Sequence, residues 1–150
     1  MPIRERLQQR RFPTLADEAV VSLLVAAEHF TQAVQPIWER HGVTADQYNV
    51  LRILRGVHPG GHPRHEIARR MIHRAPDVTR MLDRLAGQGL VRRIRNPEDR
   101  RESVATITPA GLALLARVDP EVHAAQRDFT ASLTAPELRR LVRLCDALVP

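Results

Sequence analysis

Apolar residues recur at spacings of three and four along most of the chain, which is the period of amphipathic helices. The longest stretch covers residues 15–41, and Pro36 within it is expected to bend or break the helix near its end. A second helix is predicted from Thr44, whose hydroxyl forms a capping box with Gln47, to Gly56. The first third of the chain is therefore predicted to hold two helices.

Two shorter helices are predicted next, one beginning at about Pro63 and one at Ala75-Pro76-Asp77, with proline in the first turn of each. The predicted outer face of the third helix is basic: Arg64, His65, Arg69 and Arg70. The buried stripe of the fourth is apolar: Val78, Met81, Leu82 and Leu85. At about 100° per residue this stripe places Arg80 almost opposite the core, flanked by Thr79 and Arg84, with Asp77 at the margin.

Alternating residues at 90–95 and 103–107 predict two short strands joined by a turn at 96–100, which forms a charged β-hairpin. A fifth helix is predicted from Thr108-Pro109, kinked at Pro120, and a last helix after a capping box of Thr134 and Glu137. The last helix carries an apolar stripe: Leu138, Leu141, Val142, Cys145 and Leu148. The fold class predicted is mainly α with a small β-hairpin wing.

A two-helix unit directly before a hairpin is the order of a winged helix-turn-helix. In such a unit the second helix lies in the major groove of DNA while the preceding helix braces against the backbone. The third and fourth predicted helices fill these two positions.

The net charge of +6 is concentrated in one part of the chain. Residues 64–101 hold eleven arginines and five acids, whereas the other twelve arginines and twelve acids cancel. The chain contains no lysine. Such a cluster of arginine is typical of a surface that binds a polyanion. The alternative is a solvent-exposed face that is rich in arginine and binds nothing.

Composition excludes several other classes. No apolar run approaches the roughly 20 residues of a membrane span, and a single cysteine, Cys145, cannot form an internal disulfide. No secretory signal is visible at the N-terminus, so a cytoplasmic protein is expected. No nucleophile with a base, paired carboxylates or phosphate-binding glycine loop is found, so neither an enzyme nor a cofactor is predicted.

The continuous block from Ala75 to Gly111 resembles a known family. The sequence APDVTRMLDRLAGQGLVRR from Ala75, NPEDRR from Asn96 and ITPAG from Ile107 are similar to the MarR family of multiple-antibiotic-resistance-type regulators. The resemblance runs from the first long helix to the last. Ala105 and Ile107 replace the valine and leucine that are usual after the wing, which loosens packing there without changing the fold.

This resemblance implies a transcription regulator that binds a pseudopalindromic operator in double-stranded DNA as a homodimer, and repression is the expected mode of regulation. It also implies that the protein releases the DNA when a small-molecule ligand binds. One domain is expected over 1–150, with the winged helix-turn-helix at about 44–108 and dimerisation helices at about 14–41 and 108–149. A metal-responsive (zinc) regulator and a ligand-independent regulator of the same fold are the alternatives, and a scaffold that has lost DNA binding is disfavoured by the arginines.

The candidate DNA-binding residues lie on the two central helices and the wing: Arg64, His65, Arg74, Asp77, Thr79, Arg80, Arg84, Arg95, Arg100 and Arg101. An arginine fork can contact guanine at two points or clamp a phosphate, whereas pairing of Arg80 with Asp77 or Asp83 is the competing interpretation. The alternative for Arg64 and His65 is that they are ordinary solvent-exposed residues that do not contact DNA. Pairing of Asp99 with Arg101 is expected to stiffen the wing.

Two further groups of side chains invite a ligand. Trp38, His41 and Tyr48 cluster where the first two helices meet, as a pocket for a small aromatic or phenolic effector or as rings that pin the helices. His58, His62 and His65 suggest zinc, but Pro59-Gly60-Gly61 interrupts their spacing, so no metal site is predicted.

Overall fold

A computed structural model describes residues 3–9, 11–74, 77–95 and 103–149. The elements in chain order are α1 (Ile3–Arg6), α2 (Leu15–His41), α3 (Ala45–Arg55), β1 (His62–Pro63), α4 (Arg64–Arg70), α5 (Val78–Gly87), β2 (Val91–Arg95), β3 (Ser103–Ile107), α6 (Pro109–Phe129) and α7 (Ala135–Leu148). The predicted fold class, mainly α with a small β wing, is confirmed. Among the described residues, no helix is long and apolar enough to cross a membrane.

The wing is a three-stranded antiparallel sheet in the order β1-β3-β2. Strands β2 and β3 pair as predicted, with Val91 opposite Ile107 and Arg95 opposite Ser103. Strand β1 was not predicted, because two residues are too few to show an alternating pattern. Gly61 lets β1 approach β3, since a Cβ at that position would lie 2.2 Å from the carbonyl oxygen of Ala105.

Both predicted capping boxes are present. The Thr44 hydroxyl accepts a hydrogen bond from the Gln47 backbone at 3.1 Å, and the Gln47 side chain accepts one from the Thr44 backbone at 3.0 Å. The carboxylate of Glu137 accepts from the backbone nitrogen of Thr134 at 2.7 Å. Local sequence is sufficient for these helix starts, because every partner lies within three residues.

Neither helix is interrupted at its proline: α2 continues through Pro36 and α6 continues through Pro120. The break considered at Pro36 is therefore wrong, and the bend at Pro36 and the kink at Pro120 stay predictions. A proline removes one backbone donor, but buried neighbours on either side hold each helix in register: Val34 and Ile37 in α2, Val118 and Val122 in α6. Tertiary packing therefore overrides the local signal.

Helix α5 begins later than predicted. Asp77 has φ −138° and ψ 69°, which is outside the helical region, so it caps the helix instead of lying within it. Its Oδ1 accepts a hydrogen bond from the Arg80 backbone nitrogen at 2.9 Å. Ala75 and Pro76, which were placed in the first turn, lie outside the described residues.

The chain divides into two compact units, of which one is Ile37–Glu121. Its core is built from fully buried aliphatic side chains: Val50, Leu51, Leu54, Ile67, Leu82, Leu85, Leu115 and Val118. Helices α3, α4, α5 and the first part of α6 each supply part of this core. The apolar stripe predicted for α5 is confirmed, with Val78, Leu82 and Leu85 buried and Met81 half-buried.

The other unit is Met1–Pro36 with Val122–Pro150. In it the rings of Phe30 and Phe129 pack with centroids 5.2 Å apart, and Arg4 of α1, a helix that was not predicted, donates two hydrogen bonds to Glu18. None of the residues of α7 is buried within the described chain: Leu138 and Cys145 of its predicted stripe are half-buried, and Leu141, Val142 and Leu148 are exposed.

Candidate nucleic-acid interface

The face of α5 opposite the core is exposed and basic. The Arg80 side chain is 73% exposed, and Thr79 and Arg84 are exposed beside it. Arg80 Nε lies 3.2 Å from Asp77 Oδ2, so the predicted competing pair with Asp77 exists. An exposed pair of this kind contributes little free energy, and the guanidinium can exchange it for a phosphate or a base.

Helix α4 places Arg64 and His65 on its exposed face. On the same helix the Glu66 carboxylate accepts hydrogen bonds from Arg69 at 2.8 Å and from Arg70 at 3.1 Å. These two contacts lower the pKa of Glu66 below its usual value. The acid thereby holds two guanidinium groups close together on the outer side of the helix.

The turn between α4 and α5 is fastened to α3. Asn49 Oδ1 accepts a hydrogen bond from the Ile72 backbone nitrogen at 2.9 Å, and His73 Nδ1 lies 2.9 Å from Asp46 Oδ1. Arg74 is exposed in this turn. Sequence reasoning missed Asn49 and Asp46, because nothing in the local pattern shows that α3 reaches a turn more than 20 residues later.

In the wing, Arg95 is exposed at the end of β2, while Arg93 is engaged with its neighbours. Arg93 Nη1 donates to Asp83 Oδ1 at 2.5 Å and Arg93 Nη2 donates to Ser103 Oγ at 2.8 Å. Asp83 is thus paired with the wing and not with Arg80. Asp99, Arg100 and Arg101 lie outside the described residues.

A surface pocket of about 280 Å³ opens beside the N-terminal turns of α5. Its lining comes from the start of α3 and from α5: Thr44, Asp46, Gln47, Asp77, Arg80, Met81 and Arg84. Two of these residues, Arg80 and Arg84, are the predicted base-reading arginines. A ligand in the pocket would therefore contact two of the side chains predicted to bind DNA.

Of the predicted cluster, Trp38 and Tyr48 pack together, whereas His41 contacts Glu121, so all three side chains have partners within the protein. The Trp38 and Tyr48 rings are buried with centroids 4.9 Å apart, and the guanidinium of Arg52 lies 5.8 Å from the centre of the Tyr48 ring. His41 Nε2 is 2.7 Å from Glu121 Oε1. This geometry fits the alternative in which the rings pin the helices, and the ligand role stays a prediction.

Tyr48 also anchors α3 to α6. Its hydroxyl donates to Asp119 Oδ1 at 2.7 Å, and Arg55 Nη1 donates to the other carboxylate oxygen of Asp119 at 2.5 Å. Burial, followed by the hydrogen bond to Asp119, raises the pKa of Tyr48 to about 12. The contact holds the start of the winged unit against α6.

The three histidines considered for zinc lie on separate elements: His58 in the turn after α3, His62 in β1 and His65 in α4. In the part of the chain that the structure describes, no group of three or more histidine, cysteine or acidic side chains is close enough to hold a metal ion. His62 Nε2 is buried and has no hydrogen-bond partner there, and burial lowers the pKa of its imidazole. The zinc alternative gains no support.

A bracing helix with an exposed basic face, an arginine-bearing second helix and a three-stranded wing define a winged helix-turn-helix protein. Comparison with known proteins identifies the family. The chain belongs to the MarR family, whose model matches residues 43–103.

A MarR transcription factor from Planctomyces limnophilus is 39% identical, with a TM-score of 0.70 over 91% of this chain and 99% of that one. The homoprotocatechuate degradative operon repressor of Escherichia coli is 29% identical over 89% of this chain and 88% of that protein. A mutant MarR from Escherichia coli complexed with operator DNA is 24% identical, covers 91% of this chain and 99% of that one, and has a TM-score of 0.77, which shows the shared fold. The chain is accordingly a transcription regulator and not an enzyme.

Proposed function

We propose that this protein represses transcription by binding a pseudopalindromic operator as a homodimer, and that a small molecule releases it. The observation that carries the proposal is the exposed face of α5, where Thr79, Arg80 and Arg84 project away from the core. The second helix of this fold enters the major groove, and an arginine there contacts guanine O6 and N7 at two points.

The remaining candidate residues have supporting roles. Arg64, His65 and Arg74 are exposed on α4 and the turn after it, where they fit phosphate contacts that fix the position of the protein without reading bases. Arg95, with Arg100 and Arg101, belongs to the wing and would enter the minor groove, whose negative potential attracts arginine. Asp77, at the edge of the helix face, would accept from cytosine N4.

The partner that covers the apolar face of α7 is a second copy of this chain. Leu141, Val142 and Leu148 are all exposed, and so are Val20 and Leu24 of α2. An isologous dimer buries the same patch on both subunits and matches the two-fold symmetry of a pseudopalindrome. The dimerisation helices would be those at about 14–41 and 108–149, within one domain.

The releasing effector would be a small aromatic acid or phenol. One relative of this chain is by name a repressor of a homoprotocatechuate degradative operon, which supports an aromatic signal. The pocket beside α5 offers Arg80 and Arg84 to an anionic group, and occupation of it would compete with DNA for the same guanidinium groups. The site at Trp38, His41 and Tyr48 is the second candidate location.

The test is operator binding by fluorescence anisotropy, with a labelled duplex that the full-length protein has selected from a randomised library. The double variant Arg80→Ala with Arg84→Ala is expected to lose operator binding and to remain a dimer. The matched control is Arg139→Ala with Arg143→Ala, which removes two exposed arginines at the same spacing from the side of α7 that faces away from its apolar stripe. Raising the salt from about 50 to 200 mM is expected to weaken binding by the parent roughly a hundredfold or more through counterion release.

Salt-independent binding, or an Arg80 and Arg84 double variant that binds like the control, would contradict the proposal. Addition of homoprotocatechuate to the complex tests the effector separately. Release of the duplex at millimolar concentration supports an aromatic acid signal, and unchanged anisotropy assigns the effector to another class.

A further inference from the structure

We propose that Arg93 is a positioning residue that fixes the wing to α5, and that Asp83 aids DNA binding through this contact in spite of its negative charge. The inference rests on the proposed DNA-binding function. It concerns two side chains that are ten positions apart, on opposite sides of the turn between α5 and β2.

The first step is the direction of the Arg93 side chain. Arg93 stands opposite Ala105 in the β2–β3 register, two residues after the buried Val91. Successive side chains alternate between the faces of a strand, so Arg93 shares the face of Val91 that turns toward the core. Arg92 and Ile94 point to the other face.

The second step is what the guanidinium contacts. One terminal nitrogen donates to Asp83 at 2.5 Å and the other donates to Ser103 at 2.8 Å. A single side chain therefore joins α5, β2 and β3. The Arg93 side chain is 31% exposed, compared with 73% for Arg80. Most of the Arg93 side chain is therefore covered by neighbouring residues, whereas most of the Arg80 side chain is in solvent.

The third step is the leverage of the wing. Five-residue strands extend about 16 Å, so a swing of about 10° at the base displaces the far end by about 3 Å, which is the length of a hydrogen bond. The contact with Asp83 holds β2 at Arg93, its middle residue, which lies two residues beyond the buried Val91. It therefore limits the angle at which Arg95, at the end of β2, meets the DNA.

The fourth step separates this role from simple electrostatics. The Asp83 side chain is 59% exposed on the same helix as Arg80 and Arg84. An acid at that place repels phosphate, so charge alone predicts that Asp83→Asn tightens DNA binding. The positioning role predicts the opposite sign, because the amide gives up the charge-assisted contact that holds the wing.

The experiment measures the Kd of the selected operator duplex, at several salt concentrations, for Asp83→Asn, Arg93→Ala and the two changes combined. Each single variant is expected to bind roughly tenfold more weakly, and the combination no more weakly than the worse single change, as for residues that act through one contact. The salt dependence is expected to match that of the parent, because Arg93 does not touch phosphate. Asp83→Glu, which keeps the carboxylate, is expected to bind within about threefold of the parent.

Three controls separate the possible outcomes. Asp128→Asn removes an exposed acid from α6 and reports the effect of charge alone. Sonicated genomic DNA reports non-specific affinity, which wing position is not expected to alter, and thermal melting shows that the variants are folded, since an exposed pair contributes little stability.

Tighter or unchanged binding by Asp83→Asn overturns the inference. Losses that multiply in the double variant, a smaller salt dependence for Arg93→Ala, or failure of Asp83→Glu to restore binding also overturn it. A parent protein that selects no duplex from the library contradicts the proposed function instead.

Discussion

Asp77 holds both the backbone and the side chain of Arg80. One carboxylate oxygen accepts from the Arg80 backbone nitrogen at 2.9 Å, and the other lies 3.2 Å from the Arg80 Nε. The residue that starts α5 therefore also sets the resting position of the arginine proposed to read the operator.

The capping contact predicts a difference between two substitutions of Asp77. Replacement by alanine removes the acceptor and is expected to lower the free energy of unfolding by about 1 kcal/mol. Replacement by asparagine keeps a good capping side chain and is expected to change stability by only a few tenths of a kcal/mol. Urea denaturation followed by circular dichroism distinguishes them. Equal losses for both variants would show that the charge, and not the cap, stabilises the helix start.

Two glycines are expected to respond oppositely to alanine. At Gly61 a Cβ would lie 2.2 Å from the Ala105 carbonyl oxygen, and backbone cannot move aside without breaking the β1–β3 pairing. We expect Gly61→Ala to destabilise the protein by about 2 kcal/mol or more. At Gly87, in α5, no atom lies within 4 Å of the added Cβ, so Gly87→Ala is expected to be neutral or to stabilise by up to about 1 kcal/mol. Thermal melting of the two variants measures the contrast, and similar melting temperatures would be inconsistent with a close β1–β3 approach.

The buried tyrosine predicts a loss of stability at high pH. The pKa of Tyr48 is about 12 in the folded protein, against about 10 for an unfolded chain, because burial and the hydrogen bond to Asp119 favour the neutral phenol. A raised folded pKa gives stability that is complete below pH 10 and is lost as the pH rises toward 12.

This titration is unusually easy to isolate, because the chain has one tyrosine and no lysine. Tyrosinate absorbance at 295 nm is expected to appear with a midpoint near 12 in the native protein and near 10 in urea. Tyr48→Phe removes the signal and serves as the blank. A native midpoint near 10 would mean that the hydroxyl is open to water.

The exposed face of α7 predicts how the proposed dimer can be separated. Val142 is 59% exposed, and a glutamate there would place an unpaired charge in the proposed interface of both subunits. We expect Val142→Glu to weaken dimerisation by roughly a hundredfold or more, since an uncompensated buried charge costs about 3–5 kcal/mol. Ala147→Glu adds the same charge to the opposite face of α7 and is expected to leave the dimer intact. Sedimentation velocity measures the oligomeric state of both variants. If Val142→Glu remains as dimeric as Ala147→Glu, the apolar face of α7 is not part of the interface.

Local sequence alone determined most of the helical framework. Thr44 with Gln47 and Thr134 with Glu137 mark helix starts through contacts that span three residues, and the apolar period identified the buried side of α5. The block from Ala75 to Gly111 carried the family resemblance. The concentration of arginine between residues 64 and 101 predicted the DNA-binding segment without any structural information.

Tertiary structure decided what depends on partners distant in sequence. Strand β1 exists because Ala105 and Val104 lie opposite His62 and Pro63, more than 40 residues away. Helices α2 and α6 continue through proline because buried neighbours outweigh one missing hydrogen bond.

The partners of Arg93 were also decided by tertiary structure. The helical period already placed Arg80 on the outer face of α5, but no local pattern shows that Arg93 is joined to Asp83 and Ser103. Composition fixes how much charge a segment carries, because charge is a property of each residue. Which charges face solvent and which hold the protein together depends on contacts that only the folded chain can make.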